Sequence, residues 1–170
     1  NNIIFKKVPI QSLPSYNLSK YYLQSCKNQK NKGFGMKEKG LVHYNREYKR
    51  SGENAYRSIF SIWTSKILIL KDVIEENPFN SENFAWVDVG LAKVKGMKRC
   101  VIKKTVSENK LNYLKRVNSM KYQGKLLEIS ACYLFGNKQI WNEIIPLFNH
   151  KLNENKNSNY AHDEETLIHL

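Results

Sequence analysis

Long apolar runs are missing from this 170-residue sequence, and so is any cysteine framework. Stretches such as Ile67-Leu68-Ile69-Leu70 fall far short of the roughly 20 residues that a membrane-crossing helix needs. Cys26, Cys100 and Cys132 are too few and too scattered for a disulfide scaffold. No leader pattern opens the chain, because Lys6-Lys7 run into Val8-Pro9-Ile10 and then polar residues. Together these absences predict a cytoplasmic, reducing location. Arginine is also scarce: of 28 basic residues only Arg46, Arg50, Arg57, Arg99 and Arg116 are Arg, while 20 residues are Asn. Such Lys and Asn enrichment follows from AT-rich coding as readily as from phosphate recognition, which favours the Arg fork.

What is present is a globular chain. Apolar residues at 41% and aromatics at 12% exclude disorder, and the length suits one domain over 1–170. Because the chain opens without Met and stops within an expected helix, a fragment is the expectation. The net charge of +13 is uneven: residues 1–50 carry +9, 51–92 carry −3 and 93–125 carry +10. Basic segments thus flank an acidic, apolar middle, a field that draws polyanions.

Hydrophobic periodicity predicts the elements. Ile3-Ile4-Phe5 reads as a strand, and Tyr16 to Lys30 as an amphipathic helix with Leu18, Tyr21, Tyr22, Ser25 and Cys26 on one face. Residues 31–52, with Gly33, Gly35 and Gly40 among lysines, read as a basic loop. Tyr56, Ile59, Phe60, Trp63, Ile67, Leu70 and Ile74 form the clearest helical stripe, closed by Asn77-Pro78. Phe84 to Val87 is continuously apolar, the pattern of a strand covered on both faces. Cys100 to Val106 reads as a strand, Ser107 to Val117 as a short helix, and Leu126 to Phe135 as a third strand. A helix follows from Asn137 and contains Pro146, which predicts a kink. Asn153 to Tyr160 reads as a polar linker, and Asp163 as the cap of a last helix. Strands alternating with helices predict an α/β fold with a mostly parallel sheet and flanking helices, whose ligands sit at the carboxyl ends of the strands.

Asp88 directly follows the Phe84–Val87 strand, so it stands where such sheets bind ligands. From position alone it either holds a hard divalent cation or accepts hydrogen bonds from its own turn. Lys66 interrupts the helical stripe and either meets an anion or faces solvent. Asn80 and Ser81, just before that strand, suit a turn. The four histidines, His43, His150, His162 and His169, show no zinc-ligand spacing with the cysteines and read as surface or acceptor-side groups, with His162 and His169 near enough to Asp163 in sequence to approach a metal site.

Three stretches, Ile62-Trp63-Thr64-Ser65-Lys66, Asn77-Pro78-Phe79-Asn80-Ser81 and Phe84-Ala85-Trp86-Val87-Asp88-Val89-Gly90, resemble the HtrL/YibB family of glycosyltransferase-like proteins. Leu13-Pro14-Ser15-Tyr16, Ile129 to Asn137 with Trp141, and Asp163-Glu164-Glu165-Thr166-Leu167 extend the resemblance in the same order along the chain. It implies a GT-A-like nucleotide-diphospho-sugar transferase fold lacking its N-terminal portion. The implied activity moves a sugar from a nucleotide-diphosphate donor to a glycan or other acceptor hydroxyl. Asp88 and Asp163 are the implied catalytic residues, with Asp163 on the acceptor side. The donor-binding set is Lys66, Asn80, Trp86, Asp88, Gly90, Ala131 and Cys132, with Mn or Mg held by Asp88. Three departures stand out: Asp88-Val89-Gly90 offers one carboxylate where metal-dependent members of that fold show Asp-x-Asp, Ala131-Cys132 replaces Gly-Gly, and Glu164 replaces Gln. They keep a catalytically inactive relative open as an alternative. A nucleic-acid or other polyanion-binding module built on 31–50 and 93–125 is another.

Overall fold

The computed structural model describes residues 3–33, 35–88, 109–115, 120–158, 160 and 162–170. Helix dominates: 57% of the described residues are helical. In chain order the elements are α1 (Ser19–Asn31), α2 (Lys39–His43), a π-helical stretch (Tyr44–Tyr48), α3 (Lys49–Glu76), β1 (Asn83–Val87), β2 (Asn112–Lys115), β3 (Lys121–Tyr122), β4 (Lys125–Leu126), β5 (Ile129–Asn137), α4 (Lys138–Glu154) and α5 (Glu164–His169). No helix among the described residues is long and apolar enough to cross a membrane.

The sheet corrects the expected fold class. Its three strands run in the order β1-β5-β2, and both pairings are antiparallel, so this is not a mostly parallel GT-A-like α/β sheet. The physical reason lies in coverage. In β1 only Phe84 is fully buried while Ala85 and Val87 are exposed, so the apolar run there covers one face rather than two. An apolar run of four residues does not itself distinguish these cases.

Other local expectations also shift. Ile3-Ile4-Phe5 forms no strand, and the three side chains are exposed. Part of the expected basic loop is helical, because Leu41 packs inward and Glu38 ties the start of α2 to the β3–β4 turn, accepting the backbone N–H groups of Gln123 (3.1 Å) and Gly124 (2.6 Å). Asn112–Lys115 is a strand where a helix was expected, since Leu114 finds Ser130 across the sheet. The expected strand at 100–106 lies outside the described residues.

The long helices form where the stripes predict them. Tyr56, Phe60, Ile67, Leu70 and Ile74 of α3 pack with Tyr22 and Cys26 of α1, Leu134 of β5 and Trp141, Ile145 and Phe148 of α4 in one core. Tyr22 stacks on Phe60 at 4.0 Å between ring centres. The Trp141 indole N–H donates to the carbonyls of Phe84 and Gly136, both at 3.1 Å, which fixes α4 against the β1–β5 ladder. Asn77 ends α3 in a left-handed conformation (φ 35°), and Asn137 caps α4 by accepting the Ile140 N–H at 2.9 Å. The helix runs on through Pro146 to Glu154.

Candidate functional site: a buried lysine–carboxylate cluster

Four segments deliver charged side chains to one place. Ahead of Lys66, a polar seam aligns α3: the Ser15 hydroxyl donates to the Ser61 carbonyl (3.0 Å) and lies 2.7 Å from both Ser65 Oγ and Thr64 Oγ1. These residues are all buried, so Lys66 projects from the inner side of the helix and is itself buried. Its ammonium bonds Asp88 Oδ2 at 2.9 Å and lies 3.6 Å from Glu164 Oε1. The other Asp88 oxygen accepts the Trp86 indole N–H at 2.7 Å, and its backbone N–H donates to the Cys132 carbonyl at 2.8 Å.

The second half of the cluster comes from α2 and the start of α5. Asp163 caps α5 through Oδ1, which accepts the Thr166 N–H at 3.0 Å. Asp163 Oδ2 meets the Lys39 ammonium at 2.6 Å and lies 3.6 Å from His43 Nδ1. Lys39 also bonds Glu165 Oε2, while Glu165 Oε1 accepts the Ala131 backbone N–H at 3.0 Å. That N–H is released by a break in the β2–β5 register: Tyr113 pairs Leu134 but Leu114 pairs Ser130, so Ala131 to Tyr133 bulge between them. The loop before α5 is clamped by buried Asn155, which exchanges two hydrogen bonds with the His162 backbone at 2.8 and 3.0 Å.

Electrostatics separates the two neighbouring carboxyls. Burial acts to raise the Asp163 pKa, but the charges of Lys39 and His43 and the capping N–H overcome it and hold the group below the usual range. Burial and then the Asp163 charge push Glu164 upward. Environments that push paired carboxyls apart mark one as a standing anion and the other as a proton carrier. A cavity of about 190 Å³ opens beside them, walled by Lys39, His43, Arg46, Trp63, Met120 and residues 163–165. That is below the roughly 300–1,000 Å³ of drug-sized sites. The His43 and Trp63 rings lie 4.9 Å apart in its wall.

Of the residues selected from sequence, the structure brings together Lys66, Trp86, Asp88, Ala131, Cys132 and Asp163. Asn80 is exposed in the turn before β1, whereas Asp88 follows its far end, about five strand rises away. The Asn77 side chain closes that turn through Ser81 (2.8 and 3.1 Å), which is the turn role. Gly90 lies outside the described residues. Cys132 contributes its carbonyl, and its sulfur sits 3.1 Å from Ser130 Oγ. Lys39, His43, Trp63, Glu164 and Glu165 were not selected as site residues. Lys39 carries no sequence signal, the His43 spacing points to a surface or acceptor-side group, Trp63 belongs to the helical stripe, and the two Glu accompany a cap.

A divalent cation does not fit Asp88 as it stands. Both carboxylate oxygens are engaged, and no group of three His, Cys, Asp or Glu among the described residues is placed to hold a metal ion. Comparison with protein-family models, curated proteins and solved structures finds no match.

Proposed function

We propose that this chain transfers a sugar from a nucleotide-diphosphate donor to an acceptor hydroxyl, with the chemistry at the Lys66–Asp88–Asp163–Glu164 cluster. The observation that carries the reading is the convergence just described. Residues from the HtrL/YibB likeness on α3, β1, β5 and the start of α5 join one polar network, and Asp163 of that set lines a cavity of about 190 Å³ together with Glu164 and Glu165. Such chemistry belongs to the site and needs no parallel sheet.

In this reading the acceptor oxygen attacks the anomeric carbon of the donor sugar. Its proton passes to Glu164, and the nucleotide diphosphate leaves with the electron pair of the broken C–O bond. Burial and the charge of Asp163, itself paired with Lys39, raise the proton affinity of the Glu164 carboxylate, which suits it to take the acceptor's proton. Lys66 supplies compact positive charge next to Asp88, and the Trp86 N–H fixes that carboxylate. Release of nucleotide diphosphate from a panel of nucleotide-sugars, with a mixed hydroxyl acceptor pool, tests the reading. One donor is expected to turn over, and Glu164→Gln is expected to slow it by roughly 10²–10⁴-fold. No turnover of any donor by the folded protein would overturn it.

A second reading, polyanion binding, is favoured by one surface. Lys30 and Lys49 lie over the Tyr44 ring at 5.2 and 5.9 Å, Lys27 over Tyr48 at 5.3 Å, and the two rings stack at 5.1 Å. Basic groups interleaved with aromatic faces suit single-stranded nucleic acid. Steeply salt-dependent binding to arbitrary RNA or DNA, unaffected by Glu164→Gln, would support that reading over sugar transfer.

A further inference from the structure

The geometry points to an acceptor that carries a primary ammonium group beside its reacting hydroxyl, an amino sugar in its simplest form, seated between Glu164 and the Trp63 ring. This rests on the sugar-transfer reading and names the class of acceptor. Glu164 is 6% exposed, yet its Oε2 has no hydrogen-bond partner, and the residue lines the cavity. A buried polar atom left without a partner is costly, and a ligand group that fills the position recovers that cost.

The charge around it selects the kind of group. Among the described side chains, four carboxylates (Asp88, Asp163, Glu164 and Glu165) share two lysines. Lys39 sits against Asp163 and Glu165, and Lys66 sits closer to Asp88 (2.9 Å) than to Glu164 (3.6 Å), so Glu164 is the carboxyl left short of positive charge. Arg46 at the rim bonds Glu47 at 2.6 Å. An ammonium brings three donors and a charge, where a hydroxyl brings one donor and none. Trp63, half-buried in the same wall, brings an aromatic ring, the kind of partner such a cation favours. The volume of about 190 Å³ limits the amine-bearing part to about one ring.

Calorimetric titration of the chain with glucosamine, glucose, N-acetylglucosamine and methylamine tests this without any donor. Glucosamine is expected to bind roughly tenfold or more tightly than either neutral sugar, the scale of a hydrogen bond to a charged group. Glu164→Gln should erase that preference, so that glucosamine binds no more tightly than glucose to the variant. Should that variant fail to fold, Trp63→Leu is expected to weaken glucosamine several-fold more than glucose. Equal binding of glucosamine and glucose, or no binding of glucosamine, would overturn the inference while donor turnover with a neutral acceptor still stood. Methylamine binding as tightly as glucosamine, or Mn²⁺ displacing glucosamine, would overturn it in favour of a bare-cation or metal site. Glucosamine preference without turnover of any donor would keep the ammonium site and remove the transferase reading.

Discussion

Lys39→Met is the sharpest perturbation of the cluster. The ammonium is buried, 3% exposed at its side chain, and lies between Asp163 and Glu165, which are 1% and 7% exposed. Methionine keeps much of the stem's volume but leaves two buried carboxyls without the ammonium, with the His43 ring 3.6 Å from Asp163. Removing one partner of a buried pair costs about 3–5 kcal/mol, because the remaining charge cannot return to water. For a chain of this size each kcal/mol moves Tm by about 2–4 °C, so a fall on the order of 10 °C is expected at pH 7. The sign of the pH effect follows from the same argument. Without Lys39 the two carboxyls lose the charge that favours ionisation, so the folded variant binds protons that the unfolded chain releases. Its deficit should therefore shrink as pH falls from 7 towards 5. Thermal unfolding followed by circular dichroism at both pH values reads this directly. A Tm within about 2 °C of the parent at pH 7, or a deficit that widens on acidification, would refute the compensation argument.

The remaining predictions concern single groups. Glu164→Gln should be as stable as the parent near pH 4 and more stable at pH 8, because burial and Asp163 raise the folded pKa above its ordinary 4.5, and stability is lost as pH rises through that raised value; urea midpoints at the two pH values check it. Burial lowers His162 below its ordinary 6.5, so its contribution is complete above pH 6.5 and is lost as pH falls through the lowered folded value. His162→Gln, which retains an acceptor for the Tyr122 hydroxyl now 2.6 Å from Nε2, should remove that part of the slope between pH 7.5 and 5.5. Asn137→Ala should cost about 1 kcal/mol in chemical denaturation, the loss of the α4 cap.

The helices were legible because their apolar spacing is regular: Tyr56, Phe60, Ile67, Leu70 and Ile74 are all buried where the stripe placed them. The sheet was not, because Phe84 to Val87 has the same composition whether one face or two are covered, and Leu111 with Leu114 mimics helical spacing in what is partly a strand. Asp88 could be found from position alone, after a strand; position marks Asp163 only as a helix cap, and its place in the site came from the HtrL/YibB likeness. Their partners could not be found from position. Lys39, Glu164 and Glu165 are charged residues in polar stretches, which ordinarily face water, and only the tertiary arrangement buries them against one another. The Ala131–Tyr133 bulge that frees an N–H for Glu165 likewise depends on pairing between distant segments.

The most direct test of the central claim is nucleotide-diphosphate release from a panel of nucleotide-sugars, run on the parent chain and on Glu164→Gln side by side. The account predicts turnover of one donor by the parent and a loss of roughly 10²–10⁴-fold in a variant that is folded. Turnover retained in Glu164→Gln, or none by the folded parent with any donor, would contradict it.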